Sequence, residues 1–296
     1  MAIEFLPKMD FMQKFGYCRV GTGEQKDALC GKFMGHVGCL REDLHRLMTL
    51  DGQVHSGKVF IKRVYHSCDR PECYICFRRW AVKEAGNAEE RLKKSACGYI
   101  DEEGKKHSGL GIIEHIIDSC PKSEYELPFE KLKANSLRAV RGRGFLGGFQ
   151  IFHAQRFANS FEARQKGIPS GWRYAPHFHY VGFLDGGYGS CRSCHKSNSE
   201  CWSCGGFEGI TRRLNVKDGH IVKVKGARKT IFGTLYYQLN HATLIHVKSR
   251  SHVGSWVGVC SYTKLKLKEG DRKKRDVCPI CGHELVHVKY VGAGEA

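Results

Sequence analysis

The sequence predicts an α+β fold, because segments with the pattern of strands alternate along the chain with segments that have the pattern of helices. Short apolar runs bounded by glycine or proline are typical of buried strands. Between them lie stretches in which apolar residues recur every three to four positions, as they do in amphipathic helices. No run of about 18 or more apolar residues occurs, so we expect no membrane-spanning helix, no membrane partner and a cytoplasmic protein.

The composition favours a folded protein with a polyanionic partner. The chain has 296 residues, of which 41% are hydrophobic, and this suffices for a sizeable core. Its 48 basic and 30 acidic residues give a formal net charge of +18, which is typical of proteins that bind nucleic acid. The 15 cysteines, several of them in CxxC pairs, favour zinc thiolates over disulfides in a chain whose start does not have the pattern of a secretory signal.

Residues 1–100 are expected to form an N-terminal domain with a zinc module and a helix. GKVFIKRVYHSC alternates apolar and polar residues and predicts a strand that ends at Cys68. FRRWAVKEAGNAEERLKK (77–94) predicts the helix, because apolar and small side chains recur at helical spacing at Trp80, Ala81, Ala85, Ala88 and Leu92.

Residues 101–250 are expected to form the main domain, with a Gly-, Ser- and Cys-rich insertion at 186–206. Its predicted elements are a strand at 109–121, a helix at about 128–142, strands at 147–157 and 176–184, a strand in HIVKVKG, and a helix at 233–246 with Thr234 as N-cap. We expect a polar loop at 159–175. Residues 251–296 are predicted to form a zinc-ribbon-like tail of short strands around a cysteine knuckle.

The cysteine spacings predict one to three structural Zn²⁺ ions, since four thiolates close readily on one tetrahedral ion. The clearest pattern is CxxC, six residues, CxxC, with the ligands Cys191, Cys194, Cys201 and Cys204. A knuckle in the tail contains Cys278 and Cys281, and it could be completed by Cys260, His283 or His287.

A further zinc set is predicted just before the N-terminal helix. CDRPECYIC contains three of its ligands, Cys68, Cys73 and Cys76. A fourth ligand is required for a closed structural site. Cys39 is the first choice, followed by Cys30 or His66.

Two histidines separated by one residue form a candidate site for a catalytic metal. In PHFHYVGF a strand would place His177 and His179 on one face, at ~3.3 Å of rise per residue. A catalytic site keeps an open position, so two or three protein ligands are expected. If GGFQIFH pairs antiparallel with this strand, His153 can supply the third ligand, whereas Gln150 lies on the opposite face and is the weaker choice.

The segment YYQLNHATL supplies a candidate nucleophile on a predicted helix. Tyr237 and His241 are four residues apart and share a face, while Tyr236 lies on a neighbouring one. A tyrosine hydroxyl that attacks a phosphodiester forms a covalent tyrosyl phosphodiester. A divalent ion assists such an attack, because it offsets charge in the transition state.

Positive charge flanks the histidine site in the sequence. We expect the basic segments 131–144 and 212–229 to contact DNA phosphates, which would make the affinity depend on salt. Bases could stack on aromatic side chains near the histidine strand, namely Trp172, Tyr174 and Phe178.

These motifs, in this order, resemble the HUH endonuclease superfamily. The signature of that superfamily is His, bulky hydrophobe, His on a strand, with a nucleophilic tyrosine on a later helix, as in HFH and YYQLNH here. The wider pattern is similar to archaeal plasmid and virus rolling-circle replication initiators. It includes SCDRPECYICFRRWAVKEA, GGFQIFHAQRF, WRYAPHFHYVG, the double CxxC followed by GGFEGITRR, and GTLYYQLNHA.

The resemblance implies an antiparallel sheet of about five strands flanked by helices. It also implies an enzyme that nicks and joins single-stranded DNA at a replication origin, with Mg²⁺ or Mn²⁺ on His177 and His179 and with Tyr237 rather than Tyr236 as nucleophile. A host helicase and polymerase would be partners, because no GxxxxGK[ST] nucleotide-binding loop occurs. Two alternatives stay open: a single-tyrosine transposase or relaxase of the same superfamily, and a non-catalytic zinc-ribbon protein that binds nucleic acid.

Overall fold

The computed structural model describes most of the chain, namely residues 15–45, 47–48, 54–55, 59–97, 99–100, 106–107, 109–111, 113–167, 170–184, 217–225, 230–247, 250–266 and 277–289. The zinc knuckle predicted in the insertion lies outside these residues, with all four of its ligands: Cys191, Cys194, Cys201 and Cys204. The chain divides into two compact units, which are Met1–Glu24 with Arg70–Lys268 and Gln25–Asp69 with Glu269–Ala296.

Helices and strands both occur, and the α+β class predicted from the sequence is confirmed. The helices are α1 (Phe77–Cys97), α2 (Phe129–Gly142), α3 (Ser160–Lys166) and α4 (Ile231–Leu239), with 3₁₀ turns at Glu42–Leu44 and Lys122–Glu124. The strands are β1 (Cys18–Arg19), β2 (Phe33–Gly38), β3 (Leu47–Met48), β4 (Val54–His55), β5 (Ile61–Tyr65), β6 (Tyr99–Ile100), β7 (Lys106–His107), β8 (Glu114–Ser119), β9 (Phe145–Ala158), β10 (Gly171–Leu184), β11 (Ile221–Lys225), β12 (Thr243–Val247), β13 (Arg250–His252), β14 (Gly254–Gly258) and β15 (Val286–Val288). Of the helices that the structure describes, none is long and apolar enough to cross a membrane.

The first unit is built on a five-stranded antiparallel sheet with the strand order β11-β8-β10-β9-β14. Its long strands β9 and β10 are neighbours, and their register places His177 opposite His153, with a bulge between Tyr174 and His177. The expected antiparallel pairing of these two segments is therefore confirmed, as is the five-stranded sheet. The loop predicted at 159–175 instead contains α3 and the first residues of β10.

Helices α1 and α4 pack on the sheet face that carries the histidines. Three alanines at helical spacing on α1, Ala81, Ala85 and Ala88, are fully buried, and their small side chains let the helix backbone approach its neighbours. They belong to one core cluster with Leu92, Phe149, Ile151, Val181, Phe183, Leu235 and Leu239. The helix predicted at 77–94 is confirmed and continues to Cys97.

Helix α2 packs on the opposite face of the sheet. The core cluster on this side includes Leu132, Val140, Phe152, Phe178 and Tyr180. The hydroxyl of Tyr180 lies 2.7 Å from the Ser136 hydroxyl and accepts a hydrogen bond of 2.7 Å from Nε2 of Gln150. The side chain of Gln150 therefore forms its hydrogen bond on the sheet face away from the histidines, as expected for the weaker candidate ligand.

Helix α4 is shorter than the helix predicted at 233–246. Its N-cap is Thr230 and not Thr234, because the Thr230 side chain accepts a hydrogen bond of 2.9 Å from a backbone N–H three residues later. The helix ends at Leu239, and the following residues form β12, which pairs with β1 and β13 in a second sheet. Sheet pairing outweighs the local helical pattern here, since β12 contains β-branched residues that fit a pleated surface.

The second unit is built on a three-stranded antiparallel sheet with the order β15-β2-β5. Strand β15, near the end of the chain, pairs with β2, and this places Val286 opposite Gly38. Sheet pairing thus joins segments that are far apart in the sequence. For this reason the three consecutive domains expected at 1–100, 101–250 and 251–296 differ from the two units of the structure.

A buried ion pair ties the edge strand β11 to β8. Nδ1 of His220, the residue before β11, lies 3.0 Å and 3.1 Å from the two carboxylate oxygens of Asp118, which is fully buried. Burial opposes the charged imidazole, but the hydrogen bond to Asp118 and the negative charges of Asp118, Glu124 and Asp218 outweigh it and raise the pKa of His220.

We expect the His220→Gln variant to lose less stability than the wild type as the pH rises. A raised folded-state pKa means that the stabilisation is fully present below the unfolded-state pKa of about 6.5 and is lost as the pH rises through the folded-state pKa. Thermal unfolding between about pH 6 and pH 9 measures this difference. His252→Gln is the matched control, because His252 is exposed. Parallel pH profiles for the wild type and His220→Gln would contradict the assignment.

Candidate metal centre

Three buried histidines meet on one face of the central sheet. Strand alternation places His177 and His179 on the face that also carries Val181 and Phe183, and the register brings His153 directly opposite His177. One ring nitrogen from each histidine lies within 4.8 Å of one nitrogen from each of the others. The structure thus brings together the three ligands that the sequence predicts.

Hydrogen bonds to carbonyl groups fix the tautomers of two of these histidines. Nε2 of His153 donates to the carbonyl oxygen of Gln238 at 3.1 Å, and Nδ1 of His177 donates to that of Ala175 at 2.8 Å. A carbonyl oxygen can only accept, so each of these nitrogens carries the proton. Nδ1 of His153 and Nε2 of His177 therefore keep a lone pair for an ion.

The third histidine is held by a residue that the sequence interpretation missed. Nδ1 of His179 lies 2.9 Å from Nε2 of His115 on β8, and the two rings stack with an interplanar angle of 21°. If Nδ1 of His179 donates to His115, Nε2 of His179 keeps its lone pair, as in the other two histidines. The alternation of EHIIDS puts His115 on a sheet face with Ile117, but only the β8–β10 pairing shows which residue it meets.

Burial keeps the three histidines neutral. It is the main cause that lowers the pKa of His153 to about 3 and that lowers the pKa values of His177 and His179 well below the usual range. The positive charge of Arg156 acts in the same direction on all three. Neutral imidazole is the form that binds a metal, so the site does not have to lose protons to accept an ion at neutral pH.

The donor set fits a divalent metal with open coordination positions. Three imidazole nitrogens are the ligands of one common type of catalytic site, in which further positions are left to water or substrate. Each histidine is also oriented through its second nitrogen, which is typical of protein metal sites.

Helix α4 places one of its two adjacent tyrosines beside this site. Tyr237 is 45% exposed, and its ring centroid lies 4.3 Å from that of His241. The His241 ring lies in turn 5.6 Å from that of His153. Tyr236 instead packs against the core and stacks on Phe232, with centroids 5.9 Å apart. The geometry therefore favours Tyr237, the residue preferred from the motif.

A second cluster, in the smaller unit, consists of Cys39, His45, Cys278 and Cys281, whose ligand atoms lie within 4.8 Å of one another. Nε2 of His45 lies 3.2 Å from Sγ of Cys278 and 3.3 Å from Sγ of Cys281, and Sγ of Cys39 lies 3.5 Å from Sγ of Cys281. Three thiols and one imidazole form a closed set that could hold a structural metal such as zinc.

The chemistry of the knuckle supports this interpretation. Burial alone would raise the pKa of the Cys278 thiol, but hydrogen bonds from the backbone N–H groups of Cys281 and Ile280 outweigh it and lower the pKa to about 7. The thiolate is the form that binds zinc. The partners suggested from the sequence do not belong to this cluster: Cys260 is buried in the core of the first unit, and neither His283 nor His287 is a member.

Cys39, the first choice for the fourth ligand of the predicted triplet, belongs instead to the cluster just described, and within the smaller unit Cys30 is the cysteine on the side of Cys68. Cys30 and Cys39 lie at opposite ends of β2. Antiparallel pairing with β5 sets the start of β2 beside the end of β5, where Gly31 N donates to the His66 carbonyl at 2.9 Å. Cys30 therefore lies near Cys68, and Cys39 lies near the tail knuckle.

We expect the His45→Ala and Cys39→Ser variants to lose about one zinc ion per chain and to unfold at a lower temperature, because each removes a ligand of a closed site. Zinc content by mass spectrometry and thermal unfolding measure the two effects. Cys97→Ser is the matched control, since Cys97 is an exposed cysteine outside the described clusters. A Cys39→Ser variant with the zinc content of the wild type would contradict the assignment.

Comparison with known proteins does not identify a family for this chain. No family model, no curated protein and no solved structure matches it. The chemistry of the chain must therefore be inferred from the geometry of its own residues, above all from the three histidines and the tyrosine beside them.

Proposed function

We propose that the protein is a metal-dependent endonuclease and strand transferase that nicks and joins single-stranded DNA at an origin of rolling-circle replication, as the HUH proteins that its motifs resemble do. One observation carries this proposal: three buried, neutral histidines converge on one point, and the exposed ring of Tyr237 lies beside them through His241. Attack on a phosphodiester requires a nucleophile and is assisted by a divalent ion, and an accessible phenol next to a metal site supplies both.

His153, His177 and His179 would hold the ion, Mg²⁺ or Mn²⁺ by the resemblance. When bound, the ion polarises the oxygens of the scissile phosphate and offsets the charge that develops on them. The chain itself orients the three histidine rings. The Gln238 carbonyl, the Ala175 carbonyl and His115 each contact one histidine through its second nitrogen.

Tyr237 would act as the nucleophile. Its phenolic oxygen attacks phosphorus, the bond from phosphorus to the 3′ oxygen breaks, and the strand is left with a free 3′ hydroxyl and a 5′-phosphotyrosyl end. His241, whose ring contacts that of Tyr237, is the proposed acceptor of the phenolic proton. Attack by a 3′ hydroxyl on the phosphotyrosyl bond reverses the step and joins the strands, so no external energy source is needed.

The donor set favours manganese over magnesium. Imidazole nitrogen is a poor ligand for Mg²⁺, which prefers oxygen, whereas affinity for nitrogen ligands rises across the transition metals from Mn²⁺ onward. A site with three histidines and no carboxylate among its described members should therefore bind Mn²⁺ more tightly than Mg²⁺.

Two other functions are consistent with parts of this evidence. A single-tyrosine transposase or relaxase would use the same residues and differ in the DNA that it selects. A non-catalytic zinc protein that binds nucleic acid is favoured by a specific observation, namely the cysteine-rich cluster of the smaller unit, which could hold structural metal. Covalent attachment to DNA separates the enzymes from the binding protein, because zinc sites of the closed type perform no chemistry.

We expect Tyr237→Phe to abolish the covalent protein–DNA adduct, because the variant lacks the attacking oxygen. Tyr236→Phe is the matched control and should keep the adduct within about threefold of the wild type, since Tyr236 packs in the core. The measurement is an SDS-stable band shift with labelled single-stranded origin DNA and Mn²⁺. An adduct that survives in Tyr237→Phe would refute the assignment of the nucleophile.

We expect His115→Gln to weaken Mn²⁺ binding by about 10–100-fold, the usual effect of losing a residue that orients a metal ligand. His179→Gln should abolish binding, and the wild type should need less Mn²⁺ than Mg²⁺ for half-maximal nicking. Manganese titrations followed by electron paramagnetic resonance give the affinities directly. Unchanged affinity in His115→Gln would show that His115 does not act on the site.

A further inference from the structure

Two arginines lie side by side next to the histidine site. Arg173 on β10 is the cross-strand partner of Arg156 on β9. Nη2 of Arg156 donates a hydrogen bond of 2.6 Å to the hydroxyl of Ser119, and Ser119 is the cross-strand partner of His177. The guanidinium of Arg156 therefore lies beside the strand position that carries one of the metal ligands.

The two guanidinium groups are not neutralised by the rest of the described structure. None of the ion pairs among the described residues includes Arg156 or Arg173. Nε of Arg173 is buried and has no hydrogen-bond partner. Like charges directly opposite each other on neighbouring strands destabilise a sheet, and a buried donor without a partner costs further free energy.

The electrostatics of Arg156 are consistent with a missing anion. Burial lowers the pKa of Arg156, and the neighbouring charge of Arg173 adds to this effect, while Tyr125 opposes it. Asp118 is a carboxylate whose charge also acts on Arg156, but both of its oxygens already lie within hydrogen-bond distance of Nδ1 of His220. An anion that bridges the two guanidinium groups would relieve their repulsion and satisfy the free Nε–H group.

An exposed aromatic pair lies next to the two arginines along the same strands, on the opposite face of the sheet, because consecutive residues of a strand alternate between faces. Phe157 is 56% exposed, and its ring lies 5.4 Å from that of Trp172, its cross-strand partner. The guanidinium of Arg19 covers the Trp172 ring at 4.4 Å. Of the stacking residues expected from the sequence, Phe178 is fully buried and the Tyr174 hydroxyl is bonded to the Tyr125 carbonyl, so Phe157 is the better platform for a base.

We infer that Arg156 and Arg173 form a phosphate subsite that holds a backbone phosphate of the single strand next to the one that is cut. The inference rests on the proposed function for its substrate. Arginine suits this task, because its planar fork binds phosphate oxygens through two hydrogen bonds.

The test measures binding apart from cleavage. Full-length protein carrying Tyr237→Phe is titrated into a fluorescein-labelled 12-nucleotide oligothymidine, without added divalent ion, and anisotropy is recorded at several salt concentrations. Arg173→Gln should weaken binding about tenfold and reduce the slope of log affinity against log salt by ~0.7, the value for one phosphate contact to a single strand. Arg78→Gln is the matched control, which removes the same charge from an exposed position on α1, outside the basic segments expected to contact DNA.

Two further measurements test the inference. Arg173→Lys, which keeps the charge and loses the fork, should bind with intermediate affinity. Arg173→Gln should not lower the melting temperature, because it removes one of two adjacent like charges.

The inference is overturned if Arg173→Gln binds like Arg78→Gln, or if it unfolds at a lower temperature with unchanged affinity, since the residue would then be structural. These results do not depend on nicking. A wild-type protein that binds the strand through Arg173 but forms no adduct would refute the proposed function and leave the phosphate subsite in place.

Discussion

The antiparallel register of β9 and β10 is the constraint on which the proposed chemistry depends. It sets His153 opposite His177, and strand alternation then brings His179 to the same face. The two strands approach closely at Gly148 and Gly182, which are cross-strand partners, and a Cβ atom at either position would collide with the facing backbone. A slip of one residue would turn the histidines toward α2 and dismantle the site.

Desolvation acts on the same region in two opposite ways. It makes His153, His177 and His179 neutral, which prepares them to bind a cation. It also raises the cost of the adjacent charges on Arg156 and Arg173, which prepares them to bind an anion. A phosphodiester with its metal ion is a ligand that meets both requirements. On the proposed function, this part of β9 and β10 would accept a substrate that carries negative charge next to a divalent ion.

The cysteine-rich cluster of the smaller unit differs from the histidine site in chemistry and in what it can do. Three thiolates with one imidazole form a closed set, and such a set could hold structural metal. The three histidines, if they held an ion, would leave coordination positions open. In the smaller unit, the thiol of Cys278 lies where hydrogen bonds from backbone N–H groups lower its pKa, so that the knuckle of the tail is ready for a metal that also takes Cys39 and His45.

The sequence by itself determined the α+β class, the helix of α1, the pairing of β9 with β10 and the three histidine ligands, because these follow from periodicity within one segment or from two adjacent strands. It did not determine that Cys30 and not Cys39 joins Cys68, that His45 joins the tail knuckle, or that residues after Leu239 form a strand. It also missed His115 and the Arg156–Arg173 pair. Each of these was decided only by the tertiary structure, because each depends on which strand lies beside which, and no local pattern of residues records that choice.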